Sequence, residues 1–230
     1  AIAGNITPEE AIAQAEKYLT AKHCGDPAPN IDLPAASGGE GFIAKDIEQS
    51  HVCIGFPGVP LGSDDYYAAT IIANALGGGA SSRLFQEVRE KRGLAYSAYC
   101  YLEAYTQAGF IMAYAATTPK NGAELIKIMA EQFAILADKG LTAKEIAQSK
   151  DQLKGGLLLN LESTANVMSK LGRTELALGK IYNAEETAAK LMAVTEEDIQ
   201  RTINKLIVPD KLVLAQVGPQ QANINLKELL

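Results

Sequence analysis

The stretch Gly77–Cys100, GGGASSRLFQEVREKRGLAYSAYC, decides how the rest of the chain is read. It runs as a glycine loop, a short charged helix, a glycine stop and a strand. Ser82 is placed to cap the helix, offering a side-chain oxygen to the free N–H groups of the first turn. Leu84, Phe85 and Val88 share one face at helical spacing, and Arg83, Gln86, Glu87, Glu90 and Lys91 share the other. Glu87 precedes Lys91 by four positions, the favourable order for an ion pair on a helix. Arg83 also sits in ion-pair spacing with Glu87. Gly93 stands where a helix ends in a left-handed residue. From Ala95 the hydrophobic period changes from helical to alternating, so the spacing predicts a strand.

Two residues break the amphipathic pattern. Arg89 lies beside Phe85 at the edge of the apolar face. Tyr96 follows seven positions later, at the start of the strand. A helix, a tight turn and a strand can bring these two side chains to one place. On spacing alone, an arginine at the core edge and an ordinary strand tyrosine are the simpler account.

Working outward, 230 residues make one large domain or two small ones, with length enough for a sizeable core. A 47% apolar and 21% charged composition is that of a globular protein, and no apolar run reaches the length of a membrane helix. A net charge of −6 with no basic stripe argues against nucleic acid as a partner. Cys24, Cys53 and Cys100 are widely spaced and odd in number, which fits neither a disulfide framework nor a zinc ribbon. His23 and His51 are the only histidines. His51 and Cys53 fall on one side of a predicted strand, but two ligands do not make a metal site.

Ala1 to Ile6 reads as a short strand. Thr7, Pro8 and Glu10 open a helix that runs to about Thr20. The segment GDPAPNIDLPAASGGEG, Gly25 to Gly41, is the one strong linker signal. The expected organisation is therefore a leading piece over 1–24, a linker over 25–40 and a main domain over 41–230. Because the sequence starts at Ala1 and inside a strand-like segment, it reads as part of something longer.

In the main domain, Gly41–Ile47 and Ser50–Phe56 read as strands and as a possible pair. Asp64 or Asp65 opens an almost wholly apolar helix from Tyr66 to Leu76, which needs cover on more than one side. Strands over Ala95–Thr106 and Ala108–Thr117 follow. In the first, Ala98 and Cys100 alternate with Tyr99 and Tyr101, and both faces look apolar enough to be covered. Leu125, Ile128, Met129, Phe133 and Leu136 form a helical stripe. Thr142 with Glu145 makes a capping box. Gly155-Gly156 weakens the middle of that helix. Further helices start near Ser163, Asn183 and Thr195. Lys211–Val217 is a last strand, followed by a short amphipathic tail. Strands in clusters with helices between them predict an α+β fold with a mixed, largely antiparallel sheet.

The run SSRLFQEVREKRGLAYS resembles the second half of the pitrilysin/insulinase-type zinc peptidases, the family that includes mitochondrial processing peptidase. AIAGNITPEEAIAQAEKYL is similar to the strand and helix that close that family's first domain. DDYYAATIIANALGGGASSRLF and LESTANVMSKLGRTELALG resemble segments of its second. In that family two homologous domains or subunits close around a peptide like a clam shell. The first carries zinc on an H-x-x-E-H motif, and the second holds no metal but contributes an arginine and a tyrosine. By motif these fall on Arg89 and Tyr96, and the resemblance implies a role for both on the substrate carbonyl.

This sequence has no H-x-x-E-H, and His23 and His51 stand too far apart to supply it. The resemblance therefore implies a chain inactive alone, with no cofactor of its own. Zinc, the activated water and the general base would come from a homologous zinc-binding domain or subunit. Gly77, Gly78 and Gly79 lie where the processing peptidase carries a glycine-rich substrate loop, which implies a weak substrate-binding role; a flexible turn is the simpler account. Two alternatives stand beside the peptidase half: a non-catalytic scaffold subunit of the same fold, and a metal enzyme built on His51 and Cys53.

Overall fold

The computed structural model describes residues 1–19, 32–33 and 35–225. His23, Cys24, half of the linker and the tail from residue 226 lie outside the described residues. In chain order the elements are α1 (Pro8–Tyr18), β1 (Gly39–Ala44), β2 (Ser50–Pro57), α2 (Tyr66–Gly77), a π-helical turn (Phe85–Glu90), β3 (Ala98–Ala104), β4 (Gly109–Thr117), α3 (Gly122–Lys139), α4 (Ala143–Asn160), α5 (Thr164–Leu178), α6 (Ala184–Ala193), α7 (Glu196–Leu206) and β5 (Val213–Gly218).

The strands form one five-stranded sheet in the order β1-β5-β2-β4-β3. All pairings are antiparallel except β1 with β5. The α+β class and the mixed sheet are as the sequence predicts. The possible pairing of the first two strands is not observed, because β5 lies between them. The connecting segment Lys45–Gln49, KDIEQ, has neither the glycine nor the asparagine that a tight hairpin turn requires. Ala1–Ile6 is not a strand either: no ladder partner exists for it among the described residues.

Helix starts follow the sequence closely. Thr7–Glu10, Thr142–Glu145, Asn183–Glu186 and Thr195–Asp198 each form a reciprocal capping box, and Ser163 accepts from the Asn166 N–H. Asp65 stands at the N-cap of α2, but its side chain does not cap. The carboxylate instead accepts from Lys205 Nζ at 2.6 Å and Arg201 Nη2 at 3.1 Å, tying α2 to α7. These partners, Lys205 foremost, hold the Asp65 carboxyl below its ordinary range. The helix α4 runs unbroken through Gly155-Gly156.

One face of the sheet carries the core. Val52, Ile54 and Phe56 of β2 and Ile111, Ala113 and Ala115 of β4 pack there with Ile71, Ile72 and Leu76 of α2 and the Leu125–Leu136 stripe of α3. The expected cover on several sides of α2 is observed, with β3, α4, α6 and α7 around it. Among the described residues no helix packs on the opposite face of the sheet, where the sequence predicts at least partial cover; Cys53, Met112 and Tyr114 there are half-buried by their neighbours in the sheet. Tyr99 pairs across with Tyr114, and Tyr101 with Met112. Tyr99 and Tyr101 stay exposed, as does Ile43 at the other edge. Tyrosine tolerates this position because its ring packs on its neighbours while its hydroxyl meets water.

Candidate functional site

The Gly77–Cys100 stretch leaves α2, makes a helical turn over the sheet edge and returns as β3. Its first part is locked in place. A Cβ on Gly77 would sit 2.0 Å from the Cys100 nitrogen, and one on Gly78 would sit 2.0 Å from Asn74 Oδ1. Gln152 of α4 donates to the Gly78 carbonyl at 2.9 Å and accepts from Asn74 Nδ2 at 3.1 Å. Close packing thus accounts for Gly77 and Gly78, whereas at Gly79 the neighbour is the movable end of the Gln152 side chain.

Ser82 does not cap the helix. Its side-chain oxygen is buried and has no partner among the described residues, while its carbonyl accepts from the Gln86 N–H. Arg83 is not paired with Glu87. It reaches Glu145 Oε2 at 2.9 Å and the Gly140 carbonyl at 2.8 Å, joining the turn to the start of α4. Glu87 is instead taken by Lys91, as expected, and by Arg92, which also donates to the Glu87 carbonyl at 3.0 Å. Hydrogen bonds from Lys91 and then Arg92 hold the Glu87 carboxyl low. The acids and bases on this side of the turn satisfy one another.

Residues 85–90 adopt a π-helical turn, with Lys91 N–H bonding to the Gln86 carbonyl five positions back. This changes the angular spacing of the side chains. Leu84 and Val88 are fully buried, but Phe85 leaves the core and is only half-buried, a departure from the single apolar face predicted. Gly93 then adopts φ +61°, the left-handed stop expected of it. Its N–H bonds to the Arg89 carbonyl at 3.0 Å, and Leu94 N–H bonds to the Val88 carbonyl at 2.9 Å. The buried Thr117 hydroxyl donates to the Leu94 carbonyl at 2.6 Å, fastening the turn to β4.

These constraints bring Arg89 and Tyr96 together. The guanidinium carbon of Arg89 lies 4.4 Å from the centre of the Tyr96 ring and 4.7 Å from that of Phe85. Regular strand structure begins at Ala98, two residues beyond Tyr96. Tyr96 is 80% exposed. Among the described residues the Arg89 side chain donates no hydrogen bond, and its nearest carboxylate oxygen, Glu90 Oε1, is 3.6 Å away. The arrangement is an accessible cation with unused N–H donors beside an accessible phenol. Both groups can donate to an oxygen that bears negative charge.

The family motif pointed to Arg89 and Tyr96 but not to Phe85, whose position four before an arginine is the signal for a ring–cation contact on a helix. Two clefts of about 530 Å³ each flank α5, and neither is lined by Arg89 or Tyr96. The pair stands on an open surface.

The described residues do not fit a zinc ion. They contain no group of three or more histidine, cysteine or acidic side chains able to hold a metal. His51 Nδ1 is 2.7 Å from the Tyr114 hydroxyl, and burial pushes the Cys53 thiol up, against the thiolate a metal needs. No helix among the described residues is long and apolar enough to cross a membrane.

Comparison with known proteins places the chain. Residues 1–153 match the family described as the peptidase M16 inactive domain. A protein of Bacillus subtilis named as an uncharacterised zinc protease is 37% identical over 218 residues, 95% of this chain and 53% of that protein. A Streptomyces coelicolor protein of the same description is 34% identical, over 95% of this chain and 49% of its own length. The crystal structure of a peptidase M16 inactive domain from Pseudomonas fluorescens superposes with a TM-score of 0.83 at 27% identity, covering 96% of this chain and 53% of that one. A protease from Helicobacter pylori shares the fold, with a TM-score of 0.82 at 20% identity. The chain spans about half the length of the curated relatives it matches. By sequence and by fold, the chain belongs to the peptidase M16 family, in its inactive domain.

Proposed function

We propose that this chain is the metal-free half of a zinc endopeptidase, and that Arg89 and Tyr96 act on the substrate of a site completed by a homologous zinc-binding half. The observation that carries this reading is the exposed Arg89–Tyr96 pair, held at 4.4 Å by a fastened turn and with its guanidinium donors unused. Zinc in the partner half would supply Lewis acidity and a nucleophilic water. The part played by this chain is electrostatic. Attack on a peptide carbonyl builds negative charge on its oxygen, and the guanidinium N–H groups and the phenol O–H meet that charge as it forms. Because the pair lies on an open surface, it acts only when the two halves close, which couples closure to chemistry. The names of the relatives and the half-length match support a partner of this kind.

The test is made in the full-length protein containing both halves, on a peptide substrate. Arg89→Ala is expected to lower kcat/KM by about 100-fold to 1,000-fold, the range for loss of one such donor, with the melting temperature unchanged. Tyr96→Phe keeps the ring and removes the hydroxyl, and is expected to lower kcat by a smaller factor. Unchanged kcat/KM in both variants would overturn the reading and leave a scaffold subunit of the same fold.

A further inference from the structure

We infer that Phe85 is a positioning residue for Arg89: its ring fixes where the guanidinium donors stand. The inference deepens the role proposed for Arg89 and rests on it. Phe85 sits between Leu84 and Val88 of the same turn, both fully buried, yet Phe85 itself is only half-buried and outside the core cluster. Packing of the core therefore does not account for a large aromatic side chain here. What its ring does meet is the Arg89 guanidinium, 4.7 Å from the ring centre.

An arginine side chain has several rotatable bonds, and an exposed one is ordinarily held by an acceptor. Arg89 has only a weak hold of this kind: its side chain donates no hydrogen bond among the described residues, and its ion pair with Glu90 is long, at 3.6 Å. Two rings, those of Phe85 and Tyr96, lie against the guanidinium and restrain it without taking its N–H donors. A cation held by π faces rather than by acceptors keeps its N–H donors for an incoming oxygen. A carboxylate in place of Phe85 would restrain the arginine equally but would consume those donors. The π-helical turn contributes by taking Phe85 out of the core while Leu84 and Val88 anchor the backbone on either side.

The experiment is a double-mutant cycle in the full-length protein with both halves, using Phe85→Leu, Arg89→Met and the two combined, with Phe85→Tyr as the conservative variant. Phe85→Leu is expected to lower kcat/KM about tenfold, chiefly in kcat, a loss of the size of one partly desolvated cation–π contact. In the Arg89→Met background the same change is expected to cost less than about twofold, because its effect runs through Arg89. Phe85→Tyr restores the wild-type rate. Equal losses in both backgrounds, together with a lowered melting temperature, would show a packing role and overturn the inference. The same protein labelled with ¹⁵N-arginine separates this inference from the reading it rests on. The Arg89 Nε–H resonance is expected to shift in Phe85→Leu and to be retained in Phe85→Tyr. An unmoved resonance in Phe85→Leu overturns the positioning role whatever the kinetics. A moved resonance with an inert Arg89→Met supports the positioning and removes the catalytic reading.

Discussion

Arg83 and Arg89 stand six residues apart in one stretch of chain, and their guanidinium groups meet opposite surroundings. Arg83 has a side chain 14% exposed, with a carboxylate and a backbone carbonyl as acceptors. Arg89 is 35% exposed, rests against two rings and donates no side-chain hydrogen bond among the described residues. The glycines beside them differ in the same sense. Gly77 is required because another backbone comes within 2.0 Å of where a Cβ would lie, whereas a Cβ on Gly93 would meet nothing within 4 Å. One end of the stretch is built into the body; the other is held out from it. Residue type is shared between the ends, so the difference in role comes from what each group faces.

The sharpest way to break this comparison is Gly77→Ala. The added carbon would overlap the nitrogen and Cβ of Cys100, which belong to a strand paired on its far side with β4. Neither can yield without disturbing the ladder, so the expected cost is about 3 kcal/mol, at the upper end for overpacking. Urea unfolding of the purified chain measures it. A loss below about 1 kcal/mol would mean that the first end has as much room for an added carbon as the second.

Arg83→Met comes next. It leaves the Glu145 carboxylate, 25% exposed and still bonded to Thr142, without its cation. The expected cost is about 2 kcal/mol, less than for a fully buried pair that loses one partner. The pH dependence gives a second reading of the same contact. Burial works to raise the Glu145 carboxyl, but hydrogen bonds from Arg83 and Thr142 outweigh it and bring it from 4.5 down to about 2. A carboxyl depressed in the folded state stabilises the fold above its unfolded value, and that stability is lost as pH falls through the folded one. Melting temperature should therefore fall between about pH 4.5 and pH 2, and the fall should be shallower in Arg83→Met. Parallel profiles for the two proteins would show that Arg83 is not what holds Glu145 ionised.

The same contrast explains which parts of the molecule could be read from its sequence. Capping boxes involve residues three apart; those at Thr7 and Thr142 formed as spacing predicts, and the helix starts read at Asn183 and Thr195 carry boxes as well. The α3 stripe is equally local, and all of its residues are buried. The place of β5 between β1 and β2 is a long-range choice that no local pattern encodes. The open sheet face was missed because Tyr99 and Tyr101 look apolar in an alternation, although a tyrosine can stand in water. At the site, Arg89 and Tyr96 were legible only through the family motif. Phe85 was misassigned to the core because regular helical spacing does not hold in a π turn.

Gly93→Ala is the smallest expected effect and tests the held-out end. Here the cost is conformational alone: φ of +61° is a left-handed backbone, which an L residue with a Cβ enters at roughly 1 kcal/mol. For a domain of this size that corresponds to a fall of about 2–4 °C in melting temperature. Gly93→Asn should recover part of it, since asparagine enters this region more readily. The Gly93 N–H bonds to the Arg89 carbonyl, so a backbone that relaxes away from the left-handed region moves the residue carrying the guanidinium. A loss as large as that of Gly77→Ala would mean that the turn is packed rather than merely left-handed. The two ends of the stretch would then be alike, and the open presentation of Arg89 would need another cause.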